Sequence, residues 1–112
     1  MSTVLQELEQ VLIQRRDADP ETSYVASLHR AGLNKILEKL GEECIETILA
    51  AKEVEGEKGL EHLVYETADL WFHSMVMLSH LGLDSEQVLT ELKRRFALSG
   101  LEEKAARSTH PE

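Results

Sequence analysis

Two groups of carboxylates are the residues of this chain whose types and spacing suggest chemistry. Glu42, Glu43 and Glu46 fall within five positions of the stretch LEKLGEECIETILAAK, which is otherwise patterned for burial. Glu66 and Asp69 follow, three positions apart, in a second long apolar stretch. Burying carboxylates so close together costs several kcal/mol each unless a positive charge lies between them. The pattern therefore predicts a compensating cation.

Helical geometry is expected to bring the two groups together. Residues three or four positions apart are neighbours on a helix, so the three glutamates of the first group share one side. A short loop would make the second helix an antiparallel neighbour of the first. Oxygen ligands of this charge suit a hard divalent cation. We therefore expect a Mg²⁺ site, with Mn²⁺ as a substitute, whose ligands are Glu43, Glu46, Glu66 and Asp69.

Two other interpretations of these residues remain open. In one, the acids form a solvated face paired with lysines, for example Lys39 with Glu43 one turn along the helix. In the other, His62 and His73, which share the side of the second acid pair, complete a zinc-type site. His73 also follows Asp69 by four positions, so it either supports that carboxylate by a hydrogen bond or is bonded within the core.

The elements that position the acids are predicted to be helices throughout. Every long periodic segment repeats at about 3.6 residues, and none shows the alternation of a strand. Five helices are expected, over about residues 3–16, 24–30, 34–53, 60–81 and 84–97. Gly32 is expected to end the second helix, and Asp84 with Gln87 predicts a capping box that begins the fifth. The fold class is therefore an all-α bundle, with one domain over residues 1–98 and a polar tail over 99–112.

The two acid-bearing helices are apolar on more than one side. One stripe on each is expected to form the core: Leu33, Ile36, Leu37, Leu40, Cys44, Ile48 and Ala51 on the first, and Leu60, Val64, Ala68, Trp71, Met75 and Leu78 on the second. Met77 is also expected to be a core residue. Other flanks carry Ile45 and Leu49 on the first helix, and Tyr65, Phe72 and Val76 on the second. Three other helices can hardly cover all these faces, so we expect a homodimer.

The bulk properties exclude several classes of function. The chain has 112 residues, enough for one domain with a core, and its net charge of −9 argues against binding nucleic acid. Its single cysteine allows no internal disulfide and favours an intracellular compartment. The first residues, MSTVLQELEQ, lack the pattern of a signal peptide, and no apolar run is long enough to cross a bilayer. We expect a cytoplasmic protein without a membrane partner.

The acids and the residues around them resemble a known family. Glu42-Glu43-x-x-Glu46, then 19 residues, then Glu66-x-x-Asp69 is similar to the EExxE…ExxD signature of the all-α nucleoside triphosphate pyrophosphatases, the MazG-like superfamily. Within it, SYVASLHRAGLNKILEKLGEECIETILAAK and LVYETADLWFHSMVMLSHLGL resemble the phosphoribosyl-ATP pyrophosphatases of histidine biosynthesis. The resemblance covers roughly residues 4–96 and implies a MazG-like bundle that works as a dimer or a larger assembly.

The resemblance also implies a reaction and the residues that serve it. The reaction is the second step of histidine biosynthesis, in which phosphoribosyl-ATP is hydrolysed between its α and β phosphorus atoms to phosphoribosyl-AMP and pyrophosphate. It needs an in-line water and neutralisation of charge on the polyphosphate. Glu43 acts in catalysis as a metal ligand, and Glu42 is either a further ligand or the general base for the water. The residues expected to contact the substrate are Tyr24, Ser27, Lys35, Lys39 and, from the neighbouring subunit, Lys52.

Plainer roles and other functions remain open. The lysines also suit ion pairs within their helix, and Tyr24 also suits packing in the core. A house-cleaning pyrophosphatase acting on dUTP, dCTP or modified nucleotides would use the same metal site, whereas a non-catalytic helical interaction protein would need no metal. Many relatives carry a cyclohydrolase domain with zinc-binding cysteines, which is missing here. We therefore expect the stand-alone form, with at most transient contact to a separate phosphoribosyl-AMP cyclohydrolase.

Overall fold

The computed structural model describes residues 3–97, which form five helices. They are α1 (Val4–Arg15), α2 (Tyr24–Ala31), α3 (Leu33–Lys52), α4 (Gly56–His80) and α5 (Ser85–Phe96). The predicted all-α class and the number of helices are confirmed. The predicted tail, and the boundary between it and the domain, lie outside the described residues. Within residues 3–97, none of the helices combines the length and the apolar character needed to cross a membrane.

Side chains next to the helix ends satisfy backbone groups that the helices leave unpaired. At α1, the Thr3 hydroxyl accepts the Gln6 N–H at 3.2 Å, and the Gln6 side chain accepts the Thr3 N–H at 2.9 Å. Asp84 and Gln87 make the same reciprocal pair at α5, which confirms the predicted capping box. Gly32, at φ 102°, ends α2 as predicted and also precedes the first residue of α3.

The connection between α3 and α4 is shorter than predicted. The residues between the predicted helices, 54–59, were expected to be a loop, but α4 begins at Gly56, four positions before the predicted start. A Cβ at Gly59 would lie 3.3 Å from the Val54 Cα, so the first turn of α4 packs closely against the connection. Glycine permits this approach, and the glutamate and lysine between the two glycines favour a helix. The two acid-bearing helices are therefore tightly joined.

α3 and α4 make the most extensive contact of any two helices, but α3 does not meet α4 through its predicted stripe. The buried residues of α3 are Ile36, Glu43 and Ala50, which are seven positions apart and lie along one line. Cys44 and Ile48 of the predicted stripe are exposed, so the prediction of Cys44 as a core residue is wrong for this chain. When a helix is apolar on several sides, the hydrophobic pattern does not show which side is buried. The predicted stripe was therefore wrong for Cys44 and Ile48.

α4 differs from its predicted packing in the same way. Trp71, predicted to be a core residue, is 58 % exposed, and Leu60 and Val64 are also exposed. Met75 is buried and Met77 packs against the core, as predicted. Of the flanks predicted to lie outside the core, Ile45, Leu49 and Tyr65 are exposed at the surface of residues 3–97, whereas Val76 is buried and Phe72 packs against the core.

A small core attaches α1 and α2 to the acid-bearing helices. Its buried members are Leu12, Val25, Leu28, Ile36, Met75 and Val76. Arg16, just after α1, donates from Nη2 to the carbonyl and the hydroxyl of Ser79, at 2.9 and 2.6 Å. Val25 and Leu28 of α2 belong to this core, and the hydrogen bond between Tyr24 and His73 holds the start of α2 beside α4.

Candidate active site

The inner side of α3 meets α4 through acidic side chains. Glu43 is 6 % and Glu66 is 9 % exposed. Carboxylate oxygens of Glu43, Glu46 and Glu66 lie within 4.8 Å of one another, and Glu43 forms a second such group with Asp69 and His73. The structure therefore brings the four acids predicted as metal ligands together, in two groups that share Glu43.

Two carboxylate oxygens at the centre of these groups have no partner. Glu43 Oε2 and Glu66 Oε2 are buried and accept no hydrogen bond. An unsatisfied buried polar atom costs about 1–3 kcal/mol, and more if it is charged, so both oxygens are suited to receive a ligand. A solvated acidic face does not account for them, because neither side chain is in water. Oxygen donors of this charge fit a hard divalent cation such as Mg²⁺ or Mn²⁺.

Thr47 links the two acid-bearing helices at this point, and sequence reasoning missed it. Its Oγ1 lies 2.8 Å from the Glu43 carbonyl, one turn back on α3, and 3.2 Å from the Glu66 carbonyl on α4. Because the hydroxyl lies against both backbones, it keeps Glu43 of α3 opposite Glu66 of α4. The available signal was the spacing of four between Glu43 and Thr47 inside an otherwise apolar run.

The crowding of acids changes the acidity of Glu43. Burial, followed by the negative charges of Asp69 and Glu46, raises the pKa of the Glu43 carboxyl to about 7. Burial disfavours the charged form of a carboxyl, and so do like charges nearby. In the metal-free protein, Glu43 therefore holds its proton well above the pH at which an ordinary glutamate loses it.

We expect the contribution of Glu43 to the free energy of unfolding of the metal-free protein to fall as pH rises from about 4.5 to about 7, the ordinary and the raised pKa of Glu43. In this window the unfolded chain has lost a proton that the folded chain still holds, so deprotonation favours unfolding. The loss should reach up to about 3 kcal/mol, at about 1.4 kcal/mol per pKa unit. Urea titrations in excess chelator at several pH values measure it.

Glu43→Gln should remove this decline, whereas Glu61→Gln, the same change at an exposed position of α4, should leave it. A decline that persists in Glu43→Gln would assign the titration to another group.

Tyr24 and His73 form a hydrogen-bonded pair beside the acids. The Tyr24 hydroxyl lies 2.8 Å from His73 Nε2, and His73 Nδ1 lies 2.8 Å from the Asp69 carbonyl and 3.5 Å from Asp69 Oδ1. His73 is 3 % exposed, whereas Tyr24 is 49 % exposed, so Tyr24 is not the simple core residue of the plainer interpretation. Burial raises the pKa of Tyr24, as do the nearby charges of Asp69 and Glu43.

The predicted lysines of α3 lie at the outer edge of the acid site and are paired. Lys39 Nζ is 3.3 Å from Glu42 Oε1, and Lys35 Nζ is 3.3 Å from Glu38 Oε2. The hydrogen bond from Lys39 to Glu42 raises the pKa of Lys39. Glu42 is exposed and belongs to neither group of candidate ligands. The alternative interpretation paired Lys39 with Glu43, but Glu43 turns inward, so Lys39 pairs one residue earlier, with Glu42.

Three other residues considered from the sequence belong to neither candidate ligand group. The Ser27 hydroxyl donates to the Tyr24 carbonyl at 2.6 Å, within its own helix. Lys52 is the exposed last residue of α3 and makes no ion pair with an acid of residues 3–97. His62 is largely exposed, 3.6 Å from Glu66 Oε1, and joins neither candidate group. The zinc-type site with both histidines therefore has no support in the geometry.

A comparison with known families agrees with the acid pattern. The sequence model of the phosphoribosyl-ATP pyrophosphohydrolase family matches residues 5–96. This range is most of the chain and contains both acid groups, the Tyr24–His73 pair and the lysines of α3. The chain therefore belongs to the phosphoribosyl-ATP pyrophosphohydrolase family, the hydrolases that act on phosphoribosyl-ATP in histidine biosynthesis.

Proposed function

We propose that this protein hydrolyses phosphoribosyl-ATP to phosphoribosyl-AMP and pyrophosphate with the help of Mg²⁺, for which Mn²⁺ can substitute. The observation that supports a bound metal is the pair of buried oxygens without hydrogen-bond partners on Glu43 and Glu66. They lie among further carboxylates, on the helices that the family match covers. Because the chain is acidic overall, a polyphosphate substrate would be repelled from these carboxylates without such a cation.

The residues that would hold the metal are Glu43, Glu46, Glu66 and Asp69. A bound divalent ion neutralises negative charge on the polyphosphate and so stabilises the transition state of phosphoryl transfer. Neighbouring side chains hold these ligands in place. Thr47 faces the backbones that carry Glu43 and Glu66, and His73 Nδ1 donates to the backbone of Asp69. Support of this kind keeps metal ligands oriented.

Glu42 is the residue that we assign to the activation of water. The assignment follows from the position of Glu42. This residue is next to Glu43 in sequence, is exposed, and lies outside both candidate ligand groups. A general base needs an oxygen within hydrogen-bond reach of the water. In the free protein that oxygen accepts from Lys39. When a substrate phosphate takes the lysine, the Glu42 carboxylate is released to accept a proton from water.

The substrate would be gripped from the outer side of α3 and the start of α2. Lys39 and Lys35 are one turn apart on α3 and supply the positive charge for phosphate oxygens. Tyr24, half exposed at the start of α2, offers an aromatic ring for the adenine or ribosyl part, with Ser27 one turn further along the helix. A contact between Tyr24 or Ser27 and the added phosphoribosyl group would be to a part of the substrate that a plain nucleoside triphosphate lacks.

We further propose that the working form is a homodimer. Large apolar side chains of α3 and α4, among them Ile45, Ile48, Val64 and Trp71, are each more than half exposed in the single chain, and exposed apolar surface of this kind is typical of an interface with another molecule. A two-fold contact would bury them. Lys52, at the end of α3, would then extend toward the metal site of the neighbouring subunit. A cytoplasmic location and contact with a separate cyclohydrolase stay predictions.

Substrate preference tests the proposed function. We expect kcat/KM for phosphoribosyl-ATP to exceed that for ATP, dUTP and dCTP by at least about a hundredfold, because the phosphoribosyl group adds binding energy that plain nucleotides lack. The measurement is pyrophosphate release from each substrate under the same Mg²⁺ concentration. Faster turnover of dUTP or dCTP would favour the house-cleaning function in its place.

A further inference from the structure

Both ring nitrogens of His73 are engaged within the chain. Nδ1 lies 2.8 Å from the Asp69 carbonyl, which only accepts, so Nδ1 carries the proton. In the neutral ring Nε2 is then an acceptor, and the Tyr24 hydroxyl donates to it at 2.8 Å. His73 thus offers no free lone pair to a metal, although one of its ring nitrogens lies within 4.8 Å of carboxylate oxygens of Glu43 and Asp69.

An imidazole nitrogen would change which metal this site prefers. Carboxylate oxygens suit Mg²⁺ and Mn²⁺, whereas imidazole suits Zn²⁺ and the later first-row metals, whose affinity for a mixed nitrogen and oxygen site is intrinsically higher. Without His73, the candidate ligands are the carboxylates Glu43, Glu46, Glu66 and Asp69. The hydrogen bond from Tyr24 is the contact that a side-chain change can remove, since the other partner of His73 is a backbone carbonyl.

We propose that Tyr24 determines the metal preference of the site. By donating to Nε2 of His73, its hydroxyl keeps the imidazole out of the coordination sphere and leaves an all-oxygen site for Mg²⁺. The inference rests on the proposed function, because it takes the four carboxylates as the metal ligands. It assigns Tyr24 a positioning role in addition to contact with the substrate.

The surroundings of Tyr24 suit this role. Its ring stacks on Phe72, with centroids 6.3 Å apart and planes 19° apart, and meets the His73 ring edge-on at 5.8 Å. These contacts hold the hydroxyl against Nε2, and the ring in Tyr24→Phe would preserve them. Because the ring is 49 % exposed, removing its hydroxyl opens no cavity in the core. Tyr24→Phe therefore deletes one hydrogen bond and preserves the packing.

The test measures metal binding to the full chain without substrate. Dissociation constants for Zn²⁺ and Mg²⁺ are obtained by competition with a chelating dye and by calorimetry. We expect Tyr24→Phe to raise the preference for Zn²⁺ over Mg²⁺ at least about tenfold, the range over which neighbours of metal ligands act. Adding His73→Gln to Tyr24→Phe should abolish the gain. The matched control is Tyr65→Phe, the same change on an exposed tyrosine of α4 that stacks on His62.

The outcomes separate this inference from the proposed function. An unchanged preference in Tyr24→Phe, or a gain that survives His73→Gln, would overturn the role of Tyr24. The wild-type protein would still hydrolyse phosphoribosyl-ATP with Mg²⁺, so the proposed function would stand. A wild-type chain that binds neither ion would overturn both. A gain confined to Tyr24→Phe and dependent on His73 supports the inference.

Discussion

Glu43→Gln and Asp69→Asn will each lower the rate of phosphoribosyl-ATP hydrolysis by at least about two to three orders of magnitude, because the metal that we propose they hold supplies several kcal/mol of charge stabilisation. Glu43 belongs to both candidate ligand groups, so its loss should be the more damaging. The amides keep the size of the side chains while removing a negative charge. The measurement is steady-state release of pyrophosphate at saturating Mg²⁺.

Measuring the stability of the variants distinguishes loss of the metal site from loss of the fold. Each amide removes a charge from a crowded acidic cluster, so in excess chelator both variants should unfold at the same or a higher urea concentration than the wild type at neutral pH. Glu61→Gln, on the exposed side of α4, should change neither activity nor stability appreciably. Near-normal activity in Glu43→Gln would remove Glu43 from the metal site.

The second large effect is on assembly: a single charge on the exposed apolar surface will convert the proposed dimer into monomers. Ile48 and Val64, on α3 and α4, are 64 % and 68 % exposed in the single chain. A glutamate at either position would bury an unpaired charge in the interface, which costs several kcal/mol on each subunit. Sedimentation or light scattering at micromolar concentration should show half the wild-type mass.

The control for this effect is a charge placed elsewhere. Gln14→Glu introduces the same charge at an exposed polar position of α1 and should leave the dimer intact. If Lys52 contributes to a neighbouring site, Ile48→Glu and Val64→Glu should lose activity together with the dimer. A wild-type protein that is monomeric and fully active would contradict the dimer and the role of Lys52.

Local signals in the sequence were sufficient for the helices and for the meeting of the acids. The 3.6-residue repeat predicted the five helices, and Asp84 with Gln87 predicted a helix start that the structure confirms. The spacings among Glu43, Glu46 and Glu66 depend only on helix geometry and a short connection, so their convergence was accessible as well. Such inferences need no knowledge of which other helix lies opposite.

Features that depend on tertiary partners could not be predicted. Because α3 and α4 are apolar on several sides, periodicity could not tell the side that faces the other helices from the side that faces outward, and Cys44 and Trp71 were misplaced. The contact of Tyr24 with His73 joins residues 49 positions apart. The spacing of Glu43 and Thr47 indicates the contact of Thr47 within α3, but no pattern within α3 indicates its contact with the Glu66 carbonyl of α4.

The most direct measurement follows the products of phosphoribosyl-ATP hydrolysis by metal-stripped protein as Mg²⁺ is added back. In chelator we expect no turnover, and with added Mg²⁺ equal amounts of pyrophosphate and phosphoribosyl-AMP. Mn²⁺ should restore the same two products, because it also prefers oxygen ligands. Full activity in excess chelator, or release of orthophosphate in place of pyrophosphate, would contradict a metal-assisted cut between the α and β phosphorus atoms.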